Sequence, residues 1–468
     1  MKRSPSDHNK LTNRQDQGST TPTNDLFFYL SPTLFYRTDS HYPADATTPF
    51  PEFRDFYEYE RIPLLADIGW QNYIGNFSTY FSFPLRRSYL ASGAHSWGTN
   101  FPYEFFDIDT NFPFKGYLCW ENEYFGFKLA RDKIDLGPGY WSSVELNKQN
   151  PYWDHIRFFY NAGRFRLTEY IIRLDPILVT VAEQNTQDLT VGYQERVKNI
   201  VFHEFQWSLT DSLVLTIGEF IMIGGRSLQL SDINPMLVFH NFYGEDWGNV
   251  AAFINLRWQL SPSVLSYFDL VIDDLVAPVE AGNANTAPAA GGVLIGLQTD
   301  FTTAVDRRFF WVLEATYMTP TFGTRSQPLQ TFYARRMYID NTAGGKRVYV
   351  DYPVSYYLGN DLIDFRTAFT ATLKKRLDLT IDYHLLFKGE ETLKSDPDEE
   401  GTGIHNGYLP RGVVEVMNEL RVGCSYYFSS KFSAGINGRV TFLQNKDNIA
   451  GRQSFNYGIG ATFTSILF

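Results

Sequence analysis

Apolar and polar side chains alternate with a period of two along many stretches of this 468-residue chain. The clearest stretches cover residues 252–260, 377–387, 420–428 and 432–440. A period of two is that of a β-strand, in which successive side chains point to opposite faces. Each stretch is about 9–11 residues long, the length that a tilted strand needs to cross a bilayer. The pattern therefore predicts strands with one apolar face and one polar or charged face.

Two kinds of all-β protein have such strands, namely soluble sandwiches and transmembrane barrels. In a sandwich the apolar faces would point to a shared core. The strand length favours a barrel, and so do aromatic residues at strand ends, such as Trp258, Phe387 and Phe428, which suit the girdles at membrane interfaces. The polar faces carry many Asp, Glu and Arg residues, which can pair across a lumen. A closed barrel also leaves no edge strand exposed.

Composition excludes several other classes of protein. With 40 Phe, 30 Tyr and 9 Trp the chain is too aromatic for disorder, and two cysteines are too few for a disulfide scaffold. We expect neither Cys119 nor Cys424 to be structural. The net charge of −11 argues against a nucleic-acid partner. The apolar stretches are far shorter than the roughly 18–20 residues of a transmembrane helix.

Short turns and long connections alternate along the chain. Short turn-forming segments at 161–164, 260–264, 373–377 and 428–432 are typical of periplasmic turns, so the long connections are predicted to be extracellular. The pattern gives about 16 to 18 antiparallel strands. We expect residues 25–468 to form a single outer-membrane β-barrel, and residues 1–24 to be a polar leader with no fold of its own.

The last fourteen residues, 455–468, carry no charge and end on an aromatic residue, Phe468. This segment resembles the closing strand of bacterial outer-membrane barrels, whose terminal aromatic is part of the signal for the barrel-assembly machinery. The alternative is an ordinary buried C-terminal strand. The resemblance implies a bacterial outer-membrane location, with lipid, lipopolysaccharide and the assembly machinery as partners.

The residue pattern does not favour an enzyme. The eight histidines are scattered, and no Gly-x-Ser-x-Gly motif positions a nucleophile. Acidic pairs such as Asp273–Asp274 are more often solvated loop residues than calcium ligands. No Gly-rich loop opens a helix to cradle a phosphate. We therefore expect no catalytic residues, no metal and no cofactor.

The long loops combine aromatic rings with polar side chains, which is the composition of sugar-binding sites. In the predicted loop 136–153, Tyr140, Trp141, Tyr152 and Trp153 are candidate stacking faces. Around them, Arg131, Lys133 and Arg226 are candidates to pair with acidic sugar groups. The alternative is that the aromatic residues only pack the loops into a lid over the barrel.

Several motifs resemble the Wzi family of outer-membrane capsule-assembly proteins. The motifs are residues 131–140 (RDKIDLGPGY), 225–235 (GRSLQLSDINP) with 239–241, 249–258 with 270–275, and 357–361 (YLGND). The resemblance runs in order over most of the chain from about Leu26. It implies an 18-stranded barrel, blocked outside by long loops, that acts as a lectin for capsular polysaccharide and is not an enzyme. Known members also have a helical periplasmic plug, for which residues 1–24 are too short and too polar, so an open pore is more plausible here.

Two functional hypotheses result. The first is a non-enzymatic barrel that binds surface or capsular polysaccharide and helps attach or assemble a capsule-like glycan. The second is a porin-like channel for small polar or acidic solutes. Its selectivity would depend on side chains predicted to line the lumen, which are Arg257, Asp382, His384, Arg421 and Arg439. For His384, a hydrogen bond in the lumen is expected rather than catalysis.

Overall fold

The protein is an antiparallel sheet closed into a barrel, with a separate two-stranded hairpin. A computed structural model describes residues 23–38, 64–87, 97–109, 114–188, 195–237, 248–274, 290–303, 306–340, 346–395 and 409–466. The strands are β1 (Thr23–Leu30), β2 (Thr33–Arg37), β3 (Ala66–Ile74), β4 (Phe77–Leu85), β5 (Trp97–Thr99), β6 (Lys115–Glu121), β7 (Phe125–Asp132), β8 (Trp153–Ala162), β9 (Phe165–Leu174), β10 (Lys198–Ser208), β11 (Leu213–Gly224), β12 (Asn249–Ser261), β13 (Val264–Asp274), β14 (Ala290–Thr303), β15 (Arg307–Met318), β16 (Tyr333–Asp340), β17 (Lys346–Pro353), β18 (Leu362–Leu373), β19 (Leu377–Lys388), β20 (Glu415–Tyr427), β21 (Phe432–Gln444) and β22 (Gln453–Ile466). The helices are α1 (Val181–Asp188) and two 3-10 turns, Phe105–Asp107 and Lys446–Asn448.

The barrel closes where β1 meets β22. Tyr29 and Leu30 of β1 pair with β22, while the whole of β1 pairs with β3 on its other side. After a break at Pro32, β2 continues along β22 and takes β5 as its second neighbour. The main sheet has 20 strands, and without the short strands β2 and β5 the barrel counts 18. The predicted fold, an all-β antiparallel barrel of 16 to 18 strands, is confirmed.

Short and long connections lie at opposite ends of the barrel. Two residues join β3 to β4, β8 to β9 and β12 to β13, whereas 20 or more join β7 to β8 and β11 to β12. We call these ends the turn end and the loop end. In barrels of this type the short turns face the periplasm and the long loops face outward. Of the predicted leader, residues 1–22 lie outside the described residues, and Thr23 and Asn24 already belong to β1.

The outer face of the barrel carries an apolar belt. Ile254, Trp258, Ile381, Ile436 and Ile459 are each 42–57% exposed, although large apolar side chains in a water-soluble protein are mostly covered. These residues belong to the apolar faces of the alternating strands. A belt of this kind is stable against lipid, and the closed ladder pairs the backbone groups of neighbouring wall strands with each other. Among the described residues, no helix is both long and apolar enough to span a membrane.

Protein fills part of the lumen near the loop end. Residues 133–152, 319–340 and 346–361, together called the plug, pack against the inner face of β8–β15, β18 and β19. Packed aromatic rings form the centre of this core; the ring centroids of Phe202 and Phe253 are 4.9 Å apart, and those of Phe220 and Phe332 are 5.1 Å apart. Each such ring, when fully buried, stabilises the core by roughly 1.5–3 kcal/mol. This core is the reason why β10 and β11 are apolar on both faces near the loop end.

One glycine in the barrel wall is required by close packing. The ring of Tyr267 crosses over Gly296 of the neighbouring strand, and a Cβ at Gly296 would lie 2.1 Å from that ring. The crossing lets the Tyr267 hydroxyl reach Glu314 on the next strand, at 2.7 Å. Gly296 therefore allows an inward tyrosine to link three strands.

We predict that Gly296→Ala destabilises the barrel by about 1–3 kcal/mol, because the added methyl group must displace the Tyr267 ring. Gly423→Ala is the matched control, since its Cβ would meet the nearest atom only at 3.8 Å. The free energy of unfolding in urea, measured in the same detergent, compares the two variants. Equal losses would contradict the packing argument.

Candidate functional site

A buried arginine holds the plug together at the loop end. Arg335 of β16 is 1% exposed and donates to Asp351 of β17 at 2.7 and 2.9 Å. It also donates to Glu183 of α1 at 2.9 and 3.0 Å, and to the backbone oxygen of Ile177 at 3.1 Å. All five N–H groups of the guanidinium are thereby used. The plug hairpin is thus joined to the β9–β10 connection.

The two carboxylates of this cluster are stabilised in their charged form. Burial raises the pKa of Glu183, but hydrogen bonds and the charge of Arg335 outweigh it and the pKa is lowered. The pKa of Asp351 is lowered against the same effect of burial, by Arg335 and by the nearby Lys394. Both groups therefore stay ionised at pH values where an ordinary carboxyl begins to protonate.

A carboxylate of the barrel wall fixes the inserted tip of the β7–β8 connection. Glu314 of β15 accepts the backbone N–H of Tyr140, and its second oxygen accepts that of Trp141 at 3.4 Å. The hydroxyl of Tyr267 donates to the first oxygen at 2.7 Å. The tip is therefore held inside the lumen at the level of Glu314, four residues below the loop end of β15.

Between the plug and the turn end lies a second part of the lumen, which we call the vestibule. The ring of Tyr140 points into it and lies 5.5 Å from Phe310, near the turn end of β15. Arg308 and Asp300 pair on the same inner wall, and each side chain is 43% exposed. Exposed rings and charges in this region show that the vestibule is accessible to water.

At the outer rim, an aromatic ring lies between two arginines. The guanidinium carbon of Arg131 is 4.6 Å from the centroid of Tyr152, and that of Arg336 is 3.6 Å from it. Arg131 also forms a two-pronged ion pair with Asp154, at 2.6 and 2.8 Å. We call Arg131, Tyr152, Asp154 and Arg336 the rim cluster. Stacking and ion pairing hold its side chains in fixed positions.

The structure separates the predicted glycan-binding residues into different places. Arg131 and Tyr152 meet in the rim cluster, whereas Tyr140 and Trp141 contact each other at the tip of the plug, 5.1 Å apart. Lys133 is half-buried at the start of the plug.

Three of these residues are occupied by contacts within the protein. Trp153 is completely buried in the core of the plug, which argues against its predicted role as a stacking face. Trp141 is 8% exposed, with Arg366 4.6 Å from its ring. Arg226 forms a buried ion pair with Asp232, with two hydrogen bonds of 2.6 and 3.0 Å, and this pair holds the connection after β11 in place.

The five predicted lumen residues lie on the inner face of their strands. Asp382 pairs with Arg366 at 2.8 Å, and His384 contacts Asp364 at 2.7 Å. Arg421 and Arg439 both contact Glu419, and Arg257 is exposed near the turn end. Glu314, Arg335, Arg366 and Glu419 are functional candidates that the sequence analysis did not include. Glu314, Arg366 and Glu419 could have been found from the sequence, because each lies on the polar face of an alternating strand. The sequence around Arg335 gives no such indication of its partners.

Within the part of the chain that the structure describes, no three His, Cys, Asp or Glu side chains are grouped so that they could hold a metal ion. Cys119 and Cys424 are both free thiols, one buried and one exposed.

Comparisons with known proteins show the fold. No sequence model of a protein family matches the chain, and no curated protein matches it. The chain is similar to Wzi of Escherichia coli, described as a carbohydrate-binding β-barrel of the outer membrane involved in group 1 capsule assembly. That likeness has 13% identity and a TM-score of 0.51, and covers 93% of this chain and 83% of Wzi.

Two outer-membrane proteins of Pseudomonas aeruginosa are more distant. OpdK is 8% identical to this chain with a TM-score of 0.45, and the likeness covers 95% of this chain and 98% of OpdK. OprD is 11% identical to this chain with a TM-score of 0.43, and the likeness covers 95% of this chain and 94% of OprD. The likeness to Wzi, together with the apolar belt, places this chain among barrels of the bacterial outer membrane.

We predict that Arg335→Ala opens the plug, because it removes four charge-assisted hydrogen bonds from the half-buried carboxylates of Glu183 and Asp351; Lys394 remains beside Asp351, so we expect a cost of about 1.5–3 kcal/mol. Hydrogen exchange of the β16–β17 amides measures this opening. Arg164→Ala is the control, since its pair with Asp211 is exposed on both sides, and no measurable change is expected there. Unchanged exchange in Arg335→Ala would contradict the role of this cluster.

The same cluster predicts a pH dependence. Because the pKa values of Glu183 and Asp351 are lowered in the folded protein, their contribution is fully present above the ordinary carboxyl pKa of about 4. It is lost as the pH falls through the lowered folded values. Exchange of the β16–β17 amides, corrected for its intrinsic pH dependence, should therefore show a closed plug at pH 5–7 and opening only below about pH 4. Opening between pH 5 and 7 would contradict this assignment.

Proposed function

We propose that this barrel binds an acidic surface polysaccharide at its outer rim and helps attach or assemble a capsule-like glycan. The observation that carries the proposal is the rim cluster, a tyrosine ring held between two arginines. Because the two guanidinium groups cover the Tyr152 ring, a sugar would contact the exposed part of Arg131, whose side chain is 42% exposed, while the ring holds that guanidinium in place. Guanidinium groups pair with sugar carboxylates through charge-assisted hydrogen bonds.

The charge balance of the rim supports an acidic ligand. Asp154 lies between Arg131 and Arg173 in the strand ladder; it is hydrogen bonded to Arg131, whereas Arg173 donates to Asn199 at 3.2 Å. Arg336 adds a further positive charge from beneath the surface, since it is 7% exposed and donates to Asn150 and to the backbone oxygen of Tyr152. Asp175 also interacts with Arg131, so three arginines face two carboxylates on a chain whose net charge is −11. A polyanion would be attracted to this part of the rim rather than to the remainder of the surface.

The plug gives the rim a rigid foundation. Tyr152 directly precedes Trp153, which is fixed in the plug core, and Arg336 lies beside Arg335 in β16. Binding residues on a rigid scaffold lose little entropy when a ligand docks. Wzi of Escherichia coli, which has a similar fold, is described as carbohydrate-binding, and this precedent supports a non-enzymatic binding role. We propose outer-membrane lipid, lipopolysaccharide and the barrel-assembly machinery as further partners.

The alternative is a porin-like channel, and one observation favours it. On the inner wall next to the plug, Asp382, Arg421 and Arg439 stand side by side in the ladder, with Arg366 and Glu419 beside them. A charged wall of this kind selects solutes by charge. Conductance across a planar bilayer separates the alternatives, since a channel requires an ion current through the wild-type barrel.

We predict that Arg131→Ala with Tyr152→Ala weakens binding of polygalacturonate by about tenfold, because the charge-assisted contact of Arg131 and the ring that holds the rim arginines in place are both removed. Binding should also weaken with salt. Titration of the detergent-purified protein measures the affinity. Arg164→Ala, an exposed arginine at the turn end, is the matched control and should bind like the wild type.

Two outcomes would count against the proposal. Equal affinity for polygalacturonate and for neutral dextran would remove the argument from charge. An unchanged affinity in the double variant, with the barrel intact by circular dichroism, would remove the rim cluster as the site.

A further inference from the structure

Tyr140 is the one exposed residue in the most deeply inserted part of the plug. Within residues 138–147 every other residue is buried, whereas Tyr140 is 47% exposed. Its ring faces the vestibule and not the outer surface, since its aromatic neighbour Phe310 lies three residues from the turn end of β15. A flexible surface loop would expose many residues, so a single exposed ring on a buried segment requires a different explanation.

The ring is held in place from several sides. Its backbone N–H is bound by Glu314. Lys148 donates to the backbone oxygens of Gly137 and Gly139, at 2.9 and 2.8 Å, which fixes the preceding turn. At Gly139 a Cβ would lie 1.8 Å from the oxygen of Ser142, so this tight turn requires glycine. The exposed face of Tyr140 is therefore preorganised, as in binding sites that lose little entropy on binding.

Polar groups suited to hydroxyls lie beside this ring. In the ladder, Phe310 is flanked on the inner wall by Asp300 and Thr370. Asp300 pairs with Arg308, and both side chains are 43% exposed, so each retains surface for further hydrogen bonds. An aromatic face next to a carboxylate, a hydroxyl and a guanidinium has the donors and acceptors that a sugar ring requires.

We propose that the vestibule contains a second saccharide site, in which Tyr140 stacks on a sugar ring and Asp300 and Arg308 bind its hydroxyls. The inference rests on the proposed function for its ligand class. Since the two charges neutralise each other, this site takes a neutral pyranose unit, in contrast to the acidic unit at the rim. Because the Tyr140 ring faces the vestibule, this site is open toward the turn end.

The test measures binding of neutral oligosaccharides to the full-length barrel in detergent. The oligosaccharides are released from the surface polysaccharide of the source cells by partial hydrolysis, and anion exchange separates the neutral ones from the acidic ones. Tyr140→Ala should weaken their binding by about fivefold to tenfold, because a stacking face is lost. Tyr140→Phe keeps the ring and should bind within about twofold of the wild type. Asp300→Asn breaks the ion pair without touching the plug, and should also weaken binding.

The rim variant separates this proposal from the preceding one. The double variant with Arg131→Ala and Tyr152→Ala should still bind neutral oligosaccharides. The triple variant, which also carries Tyr140→Ala, should not bind them. If the rim variant loses both classes of sugar, the vestibule site is overturned while the proposed function stands. If the wild type binds polygalacturonate but no neutral fraction, the vestibule site alone fails. If it binds neither, both proposals fail.

Discussion

One guanidinium group, that of Arg335, holds together segments that are more than 150 residues apart in the chain. Its five hydrogen bonds join α1, the β9–β10 connection and the β16–β17 hairpin. A buried ion pair adds little net stability, because desolvation offsets the attraction, but removing one partner is costly. Arg335 therefore acts mainly by allowing one arrangement of the plug. The position of Arg336, and with it the Tyr152 ring at the rim, follows from that arrangement, while Tyr140 is held in the lumen by Glu314.

Two Tyr–Trp pairs show what the sequence could predict of the candidate site. In Tyr140–Trp141 and Tyr152–Trp153 the tyrosine is accessible and the tryptophan is buried. Tyr152 and Trp153 lie at the start of a strand, where neighbouring side chains point to opposite faces, whereas Tyr140 and Trp141 lie in a bend with their rings in edge-to-face contact. Composition indicated an aromatic loop, but which ring faces inward depends on the core that the loop meets. That core comes from strands far away in sequence.

The barrel itself was predictable for a different reason. The alternation in 377–387 and 432–440 reports the outer, lipid-facing side, where the environment is uniform. The inner side is not uniform, because β10 and β11 face the plug with Phe202 and Phe220, whereas β20 and β21 face the lumen with Arg421 and Arg439. Partners such as Glu314 and Tyr267, on strands that are not neighbours, cannot be inferred from spacing along the chain.

The break at Pro32 has a mechanical consequence for the cylinder. Where the first and last strands join, two residue pairs from β1 and five from β2 hold the wall together, compared with thirteen pairs between β21 and β22. The side chain of Asn100 bridges the interruption, bonding the backbone of Thr33 at 2.8 Å and of Ser31 at 2.6 Å. The junctions of β4 with β6 and of β6 with β7 are similarly sparse, with six residue pairs each. Local opening starts where few contacts must break, so the wall separates most readily within the arc of strands from β22 through β1 to β7. A sideways passage between the lumen and the lipid would open within that arc.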